Sequence, residues 1–281
     1  MDISRITASI WPWGTKTREQ METAAKEVSA IGYHSFESVK AAVYAYDLDL
    51  AAYKEVCNRY DLHPVSFYFH LPQLADEETF FANIDNELDF IANLDVKLIS
   101  LQATGKRPDP ENPRAMSMEQ KQKELEMIAR FAECSQKFGI QSNLHPHRNT
   151  WVQYEDEIDY MLQNLDAKLL AFVPDTAHLV CGNCDPVEVI RRYADRVRFT
   201  HFKDIKDPST KTEASLGMAS AGMEVFGDFC ELGTGIVDFR SVFDILKGVG
   251  YDGPLCEELD KAPISNAESA KNNYEFLLKN Y

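Results

Sequence analysis

Long apolar runs and clusters of positive charge are both missing from this sequence. No segment approaches the roughly 20 consecutive apolar residues of a membrane-spanning helix, and the first residues, MDISRITASIWPWG, show no basic region followed by a long apolar run. Lys and Arg number 29 against 45 Asp and Glu, and the formal net charge is -16. Nucleic acids and anionic membranes are bound by clustered positive charge, so neither is an expected partner. We expect a cytoplasmic protein.

Cysteine frameworks and dinucleotide motifs are missing as well. The six cysteines are scattered through 281 residues, unlike the dense framework of a small secreted protein, and we expect them to be free thiols. Cys181 and Cys184 form a C-x-x-C, but no second Cys or His pair lies at the spacing of a zinc site, and we interpret this pair as part of a loop. No G-x-G-x-x-G follows an early predicted strand, which argues against hydride transfer.

Short β-rich apolar segments alternate with longer segments of helical period, which is the pattern of a parallel sheet with crossover helices. The chain is long enough for one (β/α)8 barrel, which needs roughly 250 residues, or for two smaller domains. Eight predicted strands and eight predicted helices favour a single α/β TIM-barrel domain over 1–281. The strands are predicted near 3–10, 34–38, 64–70, 96–102, 139–147, 168–174, 196–202 and 254–259. The helices are predicted near 16–31, 46–60, 77–94, 117–138, 154–164, 186–194, 238–248 and 266–279.

Helix starts and two long connections can also be predicted. Thr15, the Asp185–Pro186 pair and Asp238 are of the types that cap or open helices. The connections 103–116 and 204–237 are longer than a compact fold needs, and such loops are usually functional or mobile. Both follow predicted strands, so both would lie on the C-terminal face, where barrel active sites are built.

Side chains able to bind a metal collect at the ends of the last four predicted strands. Strand side chains alternate between faces, so Asn143, His145 and His147 share one face and both imidazoles can point into the barrel. The next three strands end in Asp175 and His178, then His201, Lys203 and Asp204, then Glu257, Glu258 and Asp260. One such residue is more often a cap or an ion-pair partner, but a set from four neighbouring strands predicts a metal site, because the barrel brings strand ends together. The mixed oxygen and nitrogen donors suit Mn2+ most naturally, and Co2+, Mg2+, Fe2+ or Zn2+ are also compatible.

Several segments resemble motifs of the xylose isomerase-like TIM-barrel superfamily of sugar isomerases, epimerases and dehydratases. They are PDTAHL, RFTHFKDI and CELGTGIVDFRSVFDILKGVGYDGPLCEELD. Within the superfamily, LHPHRNTWVQYEDEID resembles the corresponding region of inosose (2-keto-myo-inositol) dehydratases. The resemblance implies a barrel over essentially the whole chain. It also implies that Asp175, His201 and Glu258 are metal ligands, which agrees with the choice made from the strand ends.

The fourth ligand falls on predicted strand five, where this chain departs from the family pattern. Many superfamily members present Glu-Asn-His there, whereas this chain has Asn143, His145 and His147. We assign His147 to the metal and His145 to the role of base, with the opposite assignment left open. Arg148 and Asn149 replace the small residues usual in the dehydratases, so the substrate is not determined by the resemblance.

Further polar residues near the strand ends are candidates for substrate contact. They are Glu37, His70, Gln102, Asn143, Lys203 and Glu231. Core packing or surface structure is an equally good interpretation of Glu37, His70 and Gln102, and a local ion pair with Asp204 is the alternative for Lys203. His178 is a second catalytic candidate, since either His178 or Glu231 would supply a proton to a leaving group.

The resemblance implies divalent-metal chemistry on a keto-sugar or keto-inositol, through an enolate formed when a base removes the α proton. We expect β-elimination: dehydration of an inosose-like substrate, or cleavage of a 3-keto-glycoside, including C-glycosides as in related barrel subunits that work beside a partner chain. The alternative is a sugar or sugar phosphate isomerase or epimerase, which uses the same metal-enolate chemistry.

Two readings from other classes are weaker. Hydrolysis at abasic DNA sites is disfavoured by the net charge, and a non-catalytic sugar-binding protein would require the strand-end carboxylates to be accidental. The expected partner is the small-molecule keto-sugar or keto-glycoside substrate. A homo-oligomer, or a hetero-oligomer with a partner subunit, is left open.

Overall fold

Parallel strands form the wall of a barrel in the computed structural model, which describes residues 2–107, 116–209, 211–213, 224–226, 228–260 and 262–281. The strands are β1 (Ile6–Ser9), β2 (Ser35–Val39), β3 (His63–His70), β4 (Leu98–Gln102), β5 (Gln141–His145), β6 (Leu170–Phe172), β7 (His201–Phe202), β8 (Asp204–Ile205), β9 (Lys211–Glu213), β10 (Glu224–Phe226), β11 (Phe229–Cys230) and β12 (Leu255–Glu257). Eight of them pair in the order β6-β5-β4-β3-β2-β1-β12-β7. Parallel bridges Phe172–Val197 and Asp175–His201 join β6 to β7 and close the ring. The predicted (β/α)8 barrel is confirmed.

Helices surround this wall. They are α1 (Arg18–Ile31), α2 (Lys40–Ala45), α3 (Leu50–Arg59), α4 (Glu77–Ala92), α5 (Met118–Lys137), α6 (Glu155–Asn164), α7 (Thr176–Cys181), α8 (Pro186–Tyr193), α9 (Phe239–Gly248) and α10 (Asn266–Asn280). All eight predicted helices are present. The sequence pattern does not predict α2 and α7, because six residues show too little of a helical period. Within the described residues, no helix combines the length and the apolar character that crossing a bilayer requires.

Helix boundaries confirm some of the predicted caps and correct others. Asp185 and Asp238 cap α8 and α9 with their side chains, as expected. The predicted cap at Thr15 is wrong: α1 begins after Thr17, which forms a reciprocal capping box with Gln20. The C-x-x-C is also not simply a loop, because its first residue, Cys181, ends α7.

Alternation along the wall strands places apolar side chains toward the helices and polar ones inside the barrel. On β3, Phe67 and Phe69 belong to the hydrophobic core, whereas the Ser66 hydroxyl donates to Glu37 Oε1 at 2.7 Å. Closer to the start of the strands, another pair of buried hydroxyls is 2.8 Å apart, on Thr7 of β1 and Ser35 of β2. A polar interior of this kind can support charged groups, because its donors and acceptors satisfy one another.

The segment 204–237 contains more structure than the predicted loop. β8 pairs with β11 and β9 with β10, in two small antiparallel sheets outside the barrel wall. Residues 210, 214–223 and 227 of this segment lie outside the described residues, as do 108–115 of the predicted connection 103–116. The described parts of both connections follow β4 and β7, as expected for the C-terminal face.

The Asp204 carboxylate holds the turn that follows β11. It accepts hydrogen bonds from the backbone N–H groups of Gly233, Gly235 and Val237 at 2.9 to 3.1 Å. The alternative interpretation of Lys203, a local ion pair with Asp204, does not hold among the described residues, because neighbouring strand residues point in opposite directions and Asp204 turns away from the barrel interior. Gly235 lies against this carboxylate: a Cβ there would be 2.3 Å from Asp204 Oδ1 and 2.5 Å from the Ile205 carbonyl oxygen.

We expect Gly235→Ala to lower the free energy of unfolding by about 1–3 kcal/mol, because the added methyl group forces the Asp204 clamp apart. Gly248→Ala is the matched control, since a Cβ at this last residue of α9 meets nothing within 4 Å. Urea unfolding followed by circular dichroism measures both variants. An equal response of the two variants would contradict the clamp.

Candidate metal centre

Four side chains from four parts of the wall converge inside the barrel. His145 is the last residue of β5, Asp175 follows β6, His201 begins β7 and Glu258 follows β12. One potential ligand atom from each lies within 4.8 Å of the other three, and all four residues are buried. We call these four residues the metal cluster. The predicted convergence of Asp175, His201 and Glu258 at one site is therefore observed.

The four atoms that face each other have no hydrogen-bond partner among the described residues. They are His145 Nε2, Asp175 Oδ2, His201 Nδ1 and Glu258 Oε2. His201 Nδ1 approaches Glu258 Oε2 to 2.7 Å without hydrogen-bond geometry. An unsatisfied buried polar atom costs about 1–3 kcal/mol, and four of them in one place form a site for a cation. Two imidazole nitrogens and two carboxylate oxygens are a donor set that fits a divalent metal ion.

Local backbone structure directs the carboxylates into the cluster. Asp175 caps α7 by accepting the His178 N–H at its Oδ1 (2.8 Å), and this contact leaves Oδ2 facing the cluster. At β12, alternation separates two adjacent glutamates: Glu257 accepts the Asn273 Nδ2 of α10 at 2.7 Å, so Glu258 faces the interior. The same burial raises the pKa of Glu257 to about 8.

Lys203 is the buried positive charge beside the cluster. Its Nζ donates to Glu258 Oε1 at 2.6 Å and to Asp260 Oδ2 at 3.0 Å, and it lies 3.5 Å from Asp175 Oδ2. The ammonium also lies 3.1 Å from His178 Nε2. Lys203 therefore neutralises part of the acidic charge and orients the carboxylates.

The electrostatics of the cluster differ from residue to residue. Burial would raise the pKa of Asp175, but Lys203 and His178 hold it well below its usual range. Burial raises the pKa of Glu258 above its usual range, although Lys203 opposes this effect. Burial lowers the pKa of His145 to about 4, so its ring is neutral. Burial would also lower the pKa of His201, but the nearby carboxylates of Glu37 and Glu258 raise it to about 10. A cation is therefore favoured between these carboxylates.

His145 lies in the metal cluster, and His147 lies beside it. Pro146 cannot continue the strand ladder, so β5 stops at His145 and the chain turns. His147 is half-buried, its Nδ1 lies 2.7 Å from the Arg148 carbonyl oxygen, and its ring lies 3.7 Å from that of His178. His145 supplies the fourth atom of the cluster and His147 lies beside it, which agrees with the alternative assignment that the sequence leaves open.

The remaining predicted residues lie in different surroundings. Lys203 and His178 contact the cluster, and the exposed His70 lies at the end of β3. Glu37, Gln102 and Asn143 serve other side chains or the wall, and Glu231 is directed elsewhere.

Their contacts explain why. Glu37 is fully buried, and its Oε2 lies 2.5 Å from His201 Nε2, so it supports a cluster residue. Asn143 Nδ2 donates to backbone carbonyl oxygens of the wall, at residues 99 and 141. Glu231 Oε1 accepts a hydrogen bond from Ser269 Oγ of α10 at 2.8 Å. Glu37, Asn143 and Glu231 therefore contact other groups of the protein, and their contact with substrate stays a prediction.

One residue of the site is not identified by the sequence reasoning. Tyr68 is buried, its ring lies 4.9 Å from that of His145, and its hydroxyl lies 3.1 Å from His145 Nδ1. The available signal is the period of β3, which places residue 68 on the same face as Ser66 and His70. From the sequence, a tyrosine in an aromatic strand is expected to be a core residue. Only the contact with His145 in the tertiary structure identifies Tyr68 as part of the site.

We expect His145→Ala to lower the affinity for a divalent ion by more than about 100-fold. The substitution removes a residue that would bind the ion directly, and loss of a residue that only supports a ligand already costs about 10–100-fold. His147→Ala is the matched control and should retain the wild-type affinity. Calorimetric titration of the metal-free protein with Mn2+ measures both. The reverse pattern would restore the sequence-based assignment.

Comparison with known proteins agrees with the fold. The family model described as xylose isomerase-like TIM barrel matches residues 25–280. An inosose dehydratase from Lacticaseibacillus casei is 29% identical over 152 residues, 54% of this chain and 49% of that protein, so the chain spans about half the length of the curated relatives it matches. Two solved structures share the fold. A xylose isomerase-like TIM barrel protein from Mycobacterium smegmatis in complex with magnesium is 15% identical, with 98% of this chain and 95% of that chain covered and a TM-score of 0.74. A probable 3-DHS dehydratase from Bacillus anthracis is 13% identical, with 99% of this chain and 100% of that chain covered and a TM-score of 0.77. This chain belongs to the xylose isomerase-like TIM barrel family.

Proposed function

We propose that this protein is a divalent-metal-dependent lyase that eliminates water from a keto-inositol or a closely similar cyclic keto-sugar. The observation that carries this proposal is the metal cluster, whose four facing atoms are buried and have no hydrogen-bond partner in the described part of the chain. The similarity to inosose dehydratase supports the dehydration of a cyclic ketone. We propose Mn2+ as the working ion, because the donor set mixes oxygen and nitrogen.

His145, Asp175, His201 and Glu258 would hold the ion. When bound, a divalent ion in this cluster supplies Lewis-acid polarisation of the ketone oxygen and so acidifies the α carbon. The remaining steps are proton transfers, and the residues beside the cluster are placed to carry them.

His147 is the base in this proposal. A carbonyl oxygen can only accept a hydrogen bond, so the 2.7 Å contact to the Arg148 carbonyl requires that His147 Nδ1 carries the proton. The lone pair is then on Nε2. Burial lowers the pKa of His147 well below its usual value, which keeps the ring neutral and Nε2 unprotonated. His147 is also half-buried, unlike the fully buried His145, so a substrate can reach it.

The balance of the elimination requires one base and one proton donor. His147 Nε2 takes the α proton, the C–H electrons form the new double bond, and the β carbon–oxygen bond breaks. The departing hydroxide takes a proton and leaves as water. We assign this second transfer to His178: Lys203 Nζ donates to its Nε2, so Nδ1 carries the ring proton, and Nδ1 has no hydrogen-bond partner among the described residues. As Nδ1 gives its proton to the departing hydroxide, Nε2 takes a proton from the Lys203 ammonium, so the His178 ring stays neutral.

A bulkier leaving group is the second form of the same chemistry. Cleavage of a 3-keto-glycoside, including a C-glycoside, would use the same base and the same ion, and we propose it as a further substrate class to be assayed. For this substrate class we also propose assembly with a partner subunit or as a homo-oligomer. Both substrate classes enter the assay as ketones, because the ketone makes the α proton removable.

We expect chelation to abolish turnover of 2-keto-myo-inositol and added Mn2+ to restore it. The assay is run in D2O, and mass spectrometry and ultraviolet absorbance identify the unsaturated product. Solvent deuterium in a returned or isomerised sugar, with no unsaturated product, would establish the isomerase or epimerase alternative. Full turnover after exhaustive chelation would contradict the metal-dependent mechanism.

We expect His147→Asn to lower kcat by about 10²–10⁴-fold, the usual contribution of a general base, and to leave the affinity for the ion unchanged. The matched control is His63→Asn, since His63 is an exposed residue at the start of β3, at the other end of that strand from His70. Undiminished kcat in His147→Asn with a loaded site would remove His147 from the reaction.

A further inference from the structure

The two imidazoles of the metal cluster present different nitrogens to it. His145 turns Nε2 inward and His201 turns Nδ1 inward, and both of these atoms lack a hydrogen-bond partner among the described residues. Their other nitrogens have partners: His145 Nδ1 lies 3.1 Å from the Tyr68 hydroxyl, and His201 Nε2 lies 2.5 Å from Glu37 Oε2. A ring can bind an ion only through an unprotonated nitrogen, so these outer contacts decide whether the rings bind.

At His201 the outer contact determines which ring nitrogen carries the proton. A carboxylate accepts hydrogen bonds, so Glu37 requires a proton on His201 Nε2, and a neutral ring then has its lone pair on Nδ1. Glu37 is itself held by the Ser66 hydroxyl at 2.7 Å. This is the carboxylate–histidine arrangement that fixes ring orientation at metal sites.

At His145 the same result comes from two uncharged groups. The Tyr68 hydroxyl has one hydrogen, which it donates to Gln102 Oε1 at 2.7 Å. With its hydrogen committed, the hydroxyl oxygen can only accept at its second contact, so His145 Nδ1 must be the donor. The lone pair of His145 is then on Nε2, the atom that faces the cluster.

We propose that Tyr68 and Gln102 are positioning residues that fix the tautomer of His145, and that they thereby make the cluster a two-imidazole site that prefers first-row transition-metal ions to Mg2+. The inference rests on the metal centre of the proposed function and deepens it by stating the class of ion. Imidazole nitrogen favours Fe2+, Co2+ and Zn2+, whereas Mg2+ favours oxygen ligands. The preference therefore depends on both rings being available as nitrogen donors.

The packing around Tyr68 allows the hydroxyl to be tested alone. Its ring is enclosed by aromatic groups, with centroids 5.7 Å from Trp11, 4.9 Å from His145 and 6.0 Å from His201. Tyr68→Phe keeps these ring contacts and removes the acceptor for His145 Nδ1. Tyr46→Phe is the matched control, because the Tyr46 hydroxyl is buried and makes no hydrogen bond among the described residues.

The experiment is calorimetric titration of the metal-free full chain with Co2+ and with Mg2+, and the readout is the ratio of the two affinities. We expect the wild type and Tyr46→Phe to prefer Co2+. Tyr68→Phe should lose about 10–100-fold in Co2+ affinity, the usual cost of removing an outer-shell partner, and less in Mg2+ affinity. The visible spectrum of bound Co2+ should change in Tyr68→Phe and stay constant in Tyr46→Phe.

Two variants at Gln102 keep the test decisive if Tyr68→Phe does not fold. Gln102→Leu leaves the Tyr68 hydrogen free to turn toward His145 Nδ1 and should lower the Co2+ to Mg2+ ratio. Gln102→Glu supplies an oxygen that only accepts, so it should keep the wild-type ratio. The two variants differ in one hydrogen-bond acceptor, whereas a purely structural role would weaken both.

The proposal is overturned if the wild type binds Mg2+ as tightly as Co2+, if Tyr68→Phe loses both ions equally, or if Gln102→Glu is as weak as Gln102→Leu. None of these readouts uses substrate. A protein that shows the expected ion preference but does not dehydrate a keto-inositol retains this inference and loses the proposed function. A protein that dehydrates the substrate with Mg2+ as well as with Co2+, and shows no preference in binding, retains the function and loses this inference.

Discussion

Four buried polar atoms that face each other, with no hydrogen-bond partner among the described residues, are the constraint on which the rest of this barrel depends. Leaving His145, Asp175, His201 and Glu258 in this state is costly, because each unsatisfied buried polar atom weakens the fold by about 1–3 kcal/mol. Among the described residues, the buried ammonium of Lys203 offsets part of this cost, because it lies 3.5 Å from Asp175 Oδ2. A bound divalent ion would satisfy all four atoms at once, so ion binding and stability are linked in this molecule.

In two pairs of adjacent charged residues at the strand ends, one side chain points into the barrel and the other binds the surrounding structure. Lys203 points at the cluster, whereas Asp204 holds the turn after β11 through three backbone N–H groups. Glu258 points at the cluster, whereas Glu257 is bonded to α10. The strand period produces this division without further design, since successive side chains lie on opposite faces. The chemistry and its support are thus built from neighbouring positions in the chain.

The same principle explains why the local pattern does not separate His145 from His147. The strand period places His145 and His147 on one face, but only as long as the strand continues. Pro146 ends it, the chain turns, and the two rings lie in different surroundings. The pairing of Tyr68 with Gln102, and of Glu37 with His201, joins residues 34 and 164 positions apart. Such contacts follow from the register between strands, which no local pattern contains.

The sequence by itself determined the barrel and three members of the metal cluster. The alternation of strand and helix periods is a local property, and a closed parallel barrel converts strand order into convergence at one end. Asp175, His201 and Glu258 could therefore be identified from their positions after strands. Only the tertiary structure decided that His145 completes the set, that Lys203 pairs with Glu258 and Asp260, and that Glu231 is bonded to Ser269. The reason is geometric: which side chains meet across the barrel depends on register, strand length and turn direction, and these are set by packing of the whole chain.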